Sequence, residues 1–254
     1  MTRLRLDIEW RLTLFTLVLL PLLVSLGFWQ LERAGEKVAL AAAQTARMTQ
    51  PPAPMGDVVA EERRATLAYV PVALEGHFHP RLTILKDNQL REGRYGVDVL
   101  TPFFDRGAGQ WVLLNRGWVP ADPARRSLPA PDTPEAQLRL QASVYVPPGE
   151  PYTLAPEQLE NISWPLLVQD AADPALRRVL ERELDAALFP LELRLAPDEP
   201  AGFRRDWPLL NSSPAKHRGY AVQWFTMAAA LAVLFVLRSS NLVAVLRGQR
   251  EEAQ

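Results

Sequence analysis

The chain has 254 residues, no cysteine, and 28 basic against 29 acidic side chains, which gives a formal net charge of −1. Such a balance lacks the excess of Lys and Arg that nucleic-acid binding requires, so we expect no nucleic-acid partner. Without cysteine there are neither disulfides nor thiolate metal sites, which is compatible with an oxidising compartment without demonstrating one.

The first predicted element is an apolar segment near the start of the chain. Residues 12–29 contain no charged side chain and extend about 27 Å as a helix, close to the thickness of a bilayer's hydrocarbon core. Basic residues before the segment and Ala41-Ala-Ala43 after it would also suit a cleaved signal peptide. The apolar run is longer than such peptides have, and charged residues separate it from the alanines. We therefore expect a retained transmembrane helix over 12–31, after a tail of residues 1–11, with Trp29 as its interfacial aromatic residue.

The next region is predicted to be rich in β-strands. Residues 32–68 contain many Ala, Gln and Pro residues and are predicted to form a helical extension and a linker before a domain over 69–215. Apolar and polar residues then alternate with a period of two, which predicts strands over 69–78, 81–86, 97–104, 110–119 and 138–146. The His79-Pro80 turn signal predicts a hairpin between the first two strands. The loop 105–109, with two glycines, predicts a hairpin between the third and the fourth.

One amphipathic helix is predicted to interrupt the strands. It extends from Pro174 to about Leu188, with Asp173 as its N-cap and an apolar face that packs on the sheet. That face is formed by Leu176, Val179, Leu180, Leu184 and Ala187. A last strand is predicted over 191–195, before a proline-rich segment.

A second apolar segment, 220–237, predicts a transmembrane helix over 216–238 and a tail of residues 239–254. Two spans place both termini on the same side of the membrane. The predicted fold class is therefore a membrane protein with two transmembrane helices flanking a β-rich α+β domain, built on an antiparallel sheet or barrel.

Five segments carry a family pattern, in this order: Leu26-Gly-Phe-Trp-Gln-Leu31 with Arg33; Tyr69-Val-Pro-Val-Ala-Leu-Glu-Gly76 with Phe78; Gly96 with Thr101-Pro-Phe103; Val112-Leu-Leu-Asn-Arg-Gly-Trp-Val-Pro120; and His217-x-x-Tyr220-Ala221-x-x-Trp224-Phe225. Together they resemble the Surfeit locus protein one family, membrane proteins that assist the assembly of cytochrome c oxidase. The chain departs from the family pattern at Ala215, where the family usually has Asn, and in the wider spacing between Trp164 and Asp170.

The resemblance implies a location and a function. It implies a β-rich domain in the bacterial periplasm or the mitochondrial intermembrane space, and the lack of a Ser-rich presequence before the first span favours a bacterial plasma (inner) membrane with both tails cytoplasmic. It implies a cytochrome c oxidase biogenesis factor, not an enzyme, which assists delivery or insertion of haem a into subunit I. The implied partners are subunit I and haem a synthase within the lipid bilayer. The alternative is a membrane chaperone or scaffold that stabilises nascent subunit I without haem.

The candidate haem site centres on His217, at the start of the second span. Neutral imidazole is a standard axial ligand of haem iron, so with the resemblance we expect His217 to hold the iron transiently. Tyr220 and Trp224 share its helical face and would lie beside the haem. Lys216 and Arg218 could pair with the propionates, and snorkelling to lipid headgroups explains them equally well. A simpler interpretation is that His217 and Trp224 only anchor the helix at the membrane interface.

The remaining motif residues are expected to be structural: Trp29, Gln30, Arg33, Asn115, Arg116, Gly117 and Trp118. A second reading exists for Arg116, whose guanidinium could bind a carboxylate of a partner or a propionate. Two histidines, His77 and His79, could face one way and hold a metal, but no third ligand is evident and surface positions beside a turn explain them better. A membrane-tethered enzyme would require a nucleophile or metal constellation, and the sequence contains no such motif.

Overall fold

The computed structural model describes residues 9–61, 63–147, 159, 162–207 and 213–240. The chain divides into two compact units, one formed from residues 1–43 and 208–254 and the other from Gln44–Trp207. Most of the predicted tails, 1–11 and 239–254, lies outside the described residues, which include only 9–11 and 239–240 of them.

The described part of the chain forms four α-helices: α1 (Trp10–Met48), α2 (Met55–Ala60), α3 (Pro174–Leu184) and α4 (Pro214–Arg238). Two of them, α1 and α4, are long and apolar enough to cross a membrane. Only 17% of the most apolar window of α1 and 11% of that of α4 is buried inside the protein, whereas the core helix of a soluble protein is mostly buried. These two helices therefore expose the apolar surface that a membrane anchor requires.

The two long helices contact each other through side chains and run antiparallel. Near one end, Arg238 of α4 lies 3.8 Å from Glu9, just before α1. Near the other end, Gln30 of α1 hydrogen-bonds His217 of α4. The small side chains of Ala221 and Ala228 are buried, and because they are seven residues apart they lie on one face of α4. Small residues at such positions allow transmembrane helices to approach closely.

The second unit is built on one eight-stranded sheet, with strands β1 (Ala53–Pro54), β2 (Pro71–Phe78), β3 (Ile84–Arg91), β4 (Arg94–Asp105), β5 (Gln110–Pro120), β6 (Leu138–Tyr145), β7 (Leu166–Val168) and β8 (Leu188–Leu195). Five of them, in the order β2-β6-β8-β5-β4, close into a barrel because β2 also pairs with β4. Strand β6 lies beside β2 and completes a Greek key with β4 and β5, the plan of OB-type barrels. The predicted two helices flanking a β-rich, barrel-like domain are confirmed. A barrel of this plan serves many functions and does not by itself identify a ligand.

The hairpin predicted across His79-Pro80 is wrong. Strands β2 and β3 are consecutive, but β3 pairs with β4 and β7, while β2 pairs with β1, β4 and β6. Strand β4 is long enough to pair with β3 along its first half and with the end of β2 along its second. The predicted hairpin of β4 and β5 does form, with Asp105 opposite Gln110 across the loop 106–109.

The barrel is stabilised by apolar packing on both sides of its wall. Its interior is filled by buried residues of all five strands, including Phe78, Phe103 and Leu193. A second layer lies outside the wall, where Leu176 and Leu180 of α3 pack on Ile84, Leu100 and Leu113. Strand β4 is therefore buried on both faces over most of its length.

Helix α3 begins as predicted but ends earlier. The Asp173 carboxylate accepts a hydrogen bond from the Ala175 N–H, which caps the helix. Asp185 adopts a left-handed conformation with φ of 48° and stops the helix at Leu184. Leu188, predicted as the last helical residue, is instead the first residue of β8.

Part of the segment predicted as a linker contributes to the folded domain. Ala53 pairs with Val72 in a short parallel bridge, and Met55 and Val58 of α2 are buried in the interior layer. The domain therefore gains packed structure well before Tyr69. The sequence did not predict this helix, because six residues with only Met55 and Val58 on the apolar face are too few to show a clear helical periodicity.

Candidate functional site at the paired helices

Two of the five family-like segments meet where α1 and α4 touch. Gly27 of α1 faces the ring of Phe225 of α4 so closely that a Cβ at position 27 would lie 2.6 Å from Cε1 of the ring. The neighbouring Phe28 ring meets Phe225 edge to face, with 5.3 Å between centroids. Glycine at position 27 thus leaves space for an aromatic residue of the other helix.

One turn after Gly27, the same contact brings His217 and Gln30 together. Nδ1 of His217 lies 2.8 Å from Oε1 of Gln30, within the range of a normal hydrogen bond. Both residues are half-buried. His217 stands in the first turns of α4, which is capped by the Ser213 hydroxyl accepting a bond from the Ala215 N–H. The imidazole is therefore held by a residue of the other helix at the place where α4 begins.

The other predicted haem-site residues surround His217 on α4. Trp224 is half-buried, and Tyr220 is 41% exposed. Lys216 and Arg218 are exposed and form no ion pair with another described residue. These cations remain available to an anionic group, whether a carboxylate of a ligand or a lipid headgroup.

The other two motif residues of α1 lie on the helix surface. Arg33 forms an ion pair with Glu36 at 2.6 Å, one turn further along the same helix, and its guanidinium lies 5.9 Å from the centre of the Trp29 ring. Trp29 is 47% exposed, as expected for an aromatic residue at a membrane interface.

The fourth family-like segment and His217 belong to different compact units. Residues 115–118 are part of the barrel, whereas His217 is part of the unit that contains the paired helices. Arg116 is only 2% exposed. Its guanidinium donates hydrogen bonds to the carbonyls of Ala201 and Asp132, at 2.9 and 2.7 Å, and lies 4.9 Å from the ring centres of Phe78 and Phe203. Burial lowers the pKa of Arg116 to about 10, so it is still charged at neutral pH. Because the guanidinium is enclosed in this way, the structure favours a structural role for Arg116 over binding to a carboxylate of a partner.

Gly117 and Trp118 fix the end of β5. Gly117 has a φ of +113°, and a Cβ there would lie 2.7 Å from the carbonyl oxygen of Arg204, so only glycine fits without strain. The Trp118 indole donates to the carbonyl of Gln89 at 2.8 Å, and its ring covers Gly96. Trp118 of the fourth segment therefore packs directly against Gly96 of the third.

Asn115 belongs to a buried polar network that the sequence did not indicate. Its side-chain amide donates to Glu192 at 2.9 Å and lies 3.4 Å from Asp98, while its oxygen accepts from the Gly117 N–H. Desolvation, helped by the nearby Glu192 charge, raises the pKa of Asp98, and Arg91 at 3.7 Å opposes this. No sequence signal could have found the network, because its carboxylates come from strands that are distant in the chain.

The two histidines of the barrel are arranged for packing. His77 and His79 both lie 5.9 Å from the Trp111 ring centre. Nδ1 of His79 accepts a hydrogen bond from the Leu82 N–H at 3.2 Å, so its proton is on Nε2. Burial lowers the pKa of His79, with Arg81 adding to the effect. No group of three His, Asp or Glu residues that could hold a metal occurs in the described part of the chain.

The comparisons with known proteins agree with one another on the family. The model of a family described as the SURF1 family matches residues 17–229. A SURF1-like protein of Rickettsia felis is 25% identical over 241 residues, which cover 91% of this chain and 98% of that protein. Surfeit locus protein 1 of Xenopus tropicalis is 32% identical over 120 residues, 41% of this chain and 38% of the frog protein. The Saccharomyces cerevisiae protein named cytochrome oxidase assembly protein SHY1 is 31% identical over 94 residues, 37% of this chain and 24% of the yeast protein.

Proposed function

The chain belongs to the SURF1 family, and on that premise we propose that it assists the assembly of cytochrome c oxidase by holding haem a on its way to subunit I. The name of the yeast relative supports the first part, since that protein is called a cytochrome oxidase assembly protein. The second part is supported by the chemistry of the paired helices. Haem a synthase, which makes this haem, and subunit I, which receives it, are the proposed partners.

The observation that carries the haem proposal is the hydrogen bond between His217 and Gln30. Metal-binding histidines commonly use one ring nitrogen for the metal while a polar group engages the other and orients the ring. In His217, Nδ1 is engaged by Gln30, so Nε2 is the nitrogen through which it would hold iron. Lys216 and Arg218 are exposed cations next to it and suit the two propionates. The residues therefore fit a haem, which supplies the redox-active iron that the oxidase requires.

His217→Ala should reduce the haem that co-purifies with the protein by at least about tenfold, because one axial ligand would be lost. The full chain is co-expressed with haem a synthase and purified in detergent, and haem is measured by absorption spectrum. His77→Ala and His79→Ala are matched controls, since both lie in the barrel, and they should retain haem. A full haem spectrum in His217→Ala would refute the ligand assignment and favour a chaperone that stabilises subunit I without haem.

We further propose a bacterial plasma membrane location with both termini in the cytoplasm and the barrel in the periplasm. Two membrane-sized helices with a folded domain between them support the two-span arrangement, and the Rickettsia relative supports a bacterial setting. A reporter that is active only in the periplasm should be active when fused after Pro120 and inactive when fused after Gln254. Activity of the fusion at Gln254 would contradict the two-span topology.

A further inference from the structure

We propose that Gln30 is a positioning residue that holds the His217 imidazole in the tautomer protonated on Nδ1, so that the lone pair lies on Nε2. The purpose of this arrangement rests on the proposed haem function, but the arrangement itself does not. Its basis is the 2.8 Å contact between Nδ1 of His217 and the side-chain oxygen of Gln30.

The chemistry of the two partners fixes the direction of the bond. An amide oxygen can only accept a hydrogen bond, and a neutral imidazole carries one N–H. A bond to Oε1 of Gln30 therefore requires the proton on Nδ1 of His217. A free histidine side chain prefers the proton on Nε2, so Gln30 must reverse the ring's own preference. His79 of the barrel shows the opposite state, because its Nδ1 accepts from the Leu82 N–H.

The packing of the helices holds the donor and acceptor in register. Gly27 lies one turn before Gln30 and admits the Phe225 ring, and Ala221, one turn after His217, is 1% exposed. The Gly27–Phe225 contact and the buried position of Ala221 leave little freedom for α1 and α4 to slide past each other. Because the site is at the edge of the apolar segment, where water competes less, the bond should bias the tautomer about five- to tenfold.

The choice of an amide has a consequence for how strongly His217 would bind iron. A carboxylate behind a metal-bound imidazole makes the ring more basic and strengthens its bond to the metal. An amide oxygen orients the ring while leaving it neutral. A holder that must release its ligand is served better by the weaker partner, and Gln30 supplies it.

The tautomer can be read directly in the protein without haem. The full chain is labelled with ¹⁵N-histidine in detergent, and correlations of the ring nitrogens with ring protons are recorded at about pH 8, above the ordinary titration range of imidazole. The chain has 3 histidines, so assignment by single substitutions is straightforward. We expect the Nδ1–H pattern for His217 and the Nε2–H pattern for His79, which is the internal control.

Two variants test the role of Gln30. Gln30→Leu should shift His217 by about five- to tenfold towards the Nε2–H tautomer, while Gln30→Glu, which keeps an acceptor oxygen, should retain the Nδ1–H pattern. His79 should be unchanged in both, which shows that the barrel is intact. An Nε2–H pattern of His217 in the parent protein, or an unchanged pattern in Gln30→Leu, would overturn the proposal.

Haem titration separates this proposal from the proposed function. If His217 shows the Nδ1–H pattern and Gln30→Leu loses it, the positioning role stands even when the parent protein binds no haem, and only the haem function then fails. If the parent protein binds haem through His217 and the tautomer does not respond to Gln30→Leu, the haem function stands and the positioning role fails.

Discussion

Gly76→Ala should destabilise the barrel by about 4 kcal/mol or more, because there is no space for a methyl group at this position. Gly76 pairs with Asp105 at the point where β2 meets β4 and the barrel closes. A Cβ on Gly76 would lie 1.7 Å from the carbonyl oxygen of Phe104. Since that oxygen belongs to the backbone, no side-chain rotation can relieve the clash, and β2 and β4 must separate.

The matched control is Gly56→Ala, in which an added Cβ has no neighbour within 4 Å. Gly56 is in α2, so alanine should leave stability unchanged or raise it by about 0.5–1 kcal/mol. Thermal unfolding of the full chain in detergent, followed by the β component of the circular dichroism spectrum, should show a loss of roughly 10 °C or more for Gly76→Ala. Equal melting temperatures for the two variants would contradict the closure of the barrel between β2 and β4.

Local patterns predicted the strands better than their pairing. The alternation over 97–119 and the glycine-containing loop gave the β4–β5 hairpin, because a short loop leaves adjacent strands one simple arrangement. The partners of β2 depend on how the sheet closes, which is a tertiary property, and the sequence therefore placed β3 beside β2 wrongly. Nothing in a period of two shows which strand will be the neighbour.

The same limit applies to the candidate site. His217 was predicted as a ligand from its place at a helix start, and Gln30 as a structural residue of another motif, but their contact could not be predicted. A hydrogen bond between two helices depends on their register, and register depends on packing contacts such as Gly27 with Phe225. The sequence also allowed two interpretations of Arg116, because a strand-end motif does not indicate whether its arginine is buried.

Arg116→Ala should destabilise the barrel by about 3–5 kcal/mol, which distinguishes the two readings of this residue. The substitution would leave the buried carbonyl of Ala201 without its donor, at a cost of about 1–3 kcal/mol. It would also remove the donor to the carbonyl of Asp132, an exposed residue, where water can replace part of the bond. It would also remove the group that stacks between Phe78 and Phe203 and leave a cavity there. Relief of a buried charge offsets part of this loss, since burial lowers the pKa of Arg116 and the charge of Asp132 only opposes that effect.

Arg139→Ala is the matched control, because its side chain is 83% exposed and its ion pair with Glu75 spans 3.3 Å at the surface. Exposed pairs of this kind contribute about 0–1 kcal/mol, so the control should unfold at nearly the parent temperature. Thermal unfolding of both variants in detergent decides the matter. If Arg116 instead served to bind a carboxylate of a partner, its loss would leave the melting temperature unchanged and weaken only the partner's binding, which would overturn the structural role.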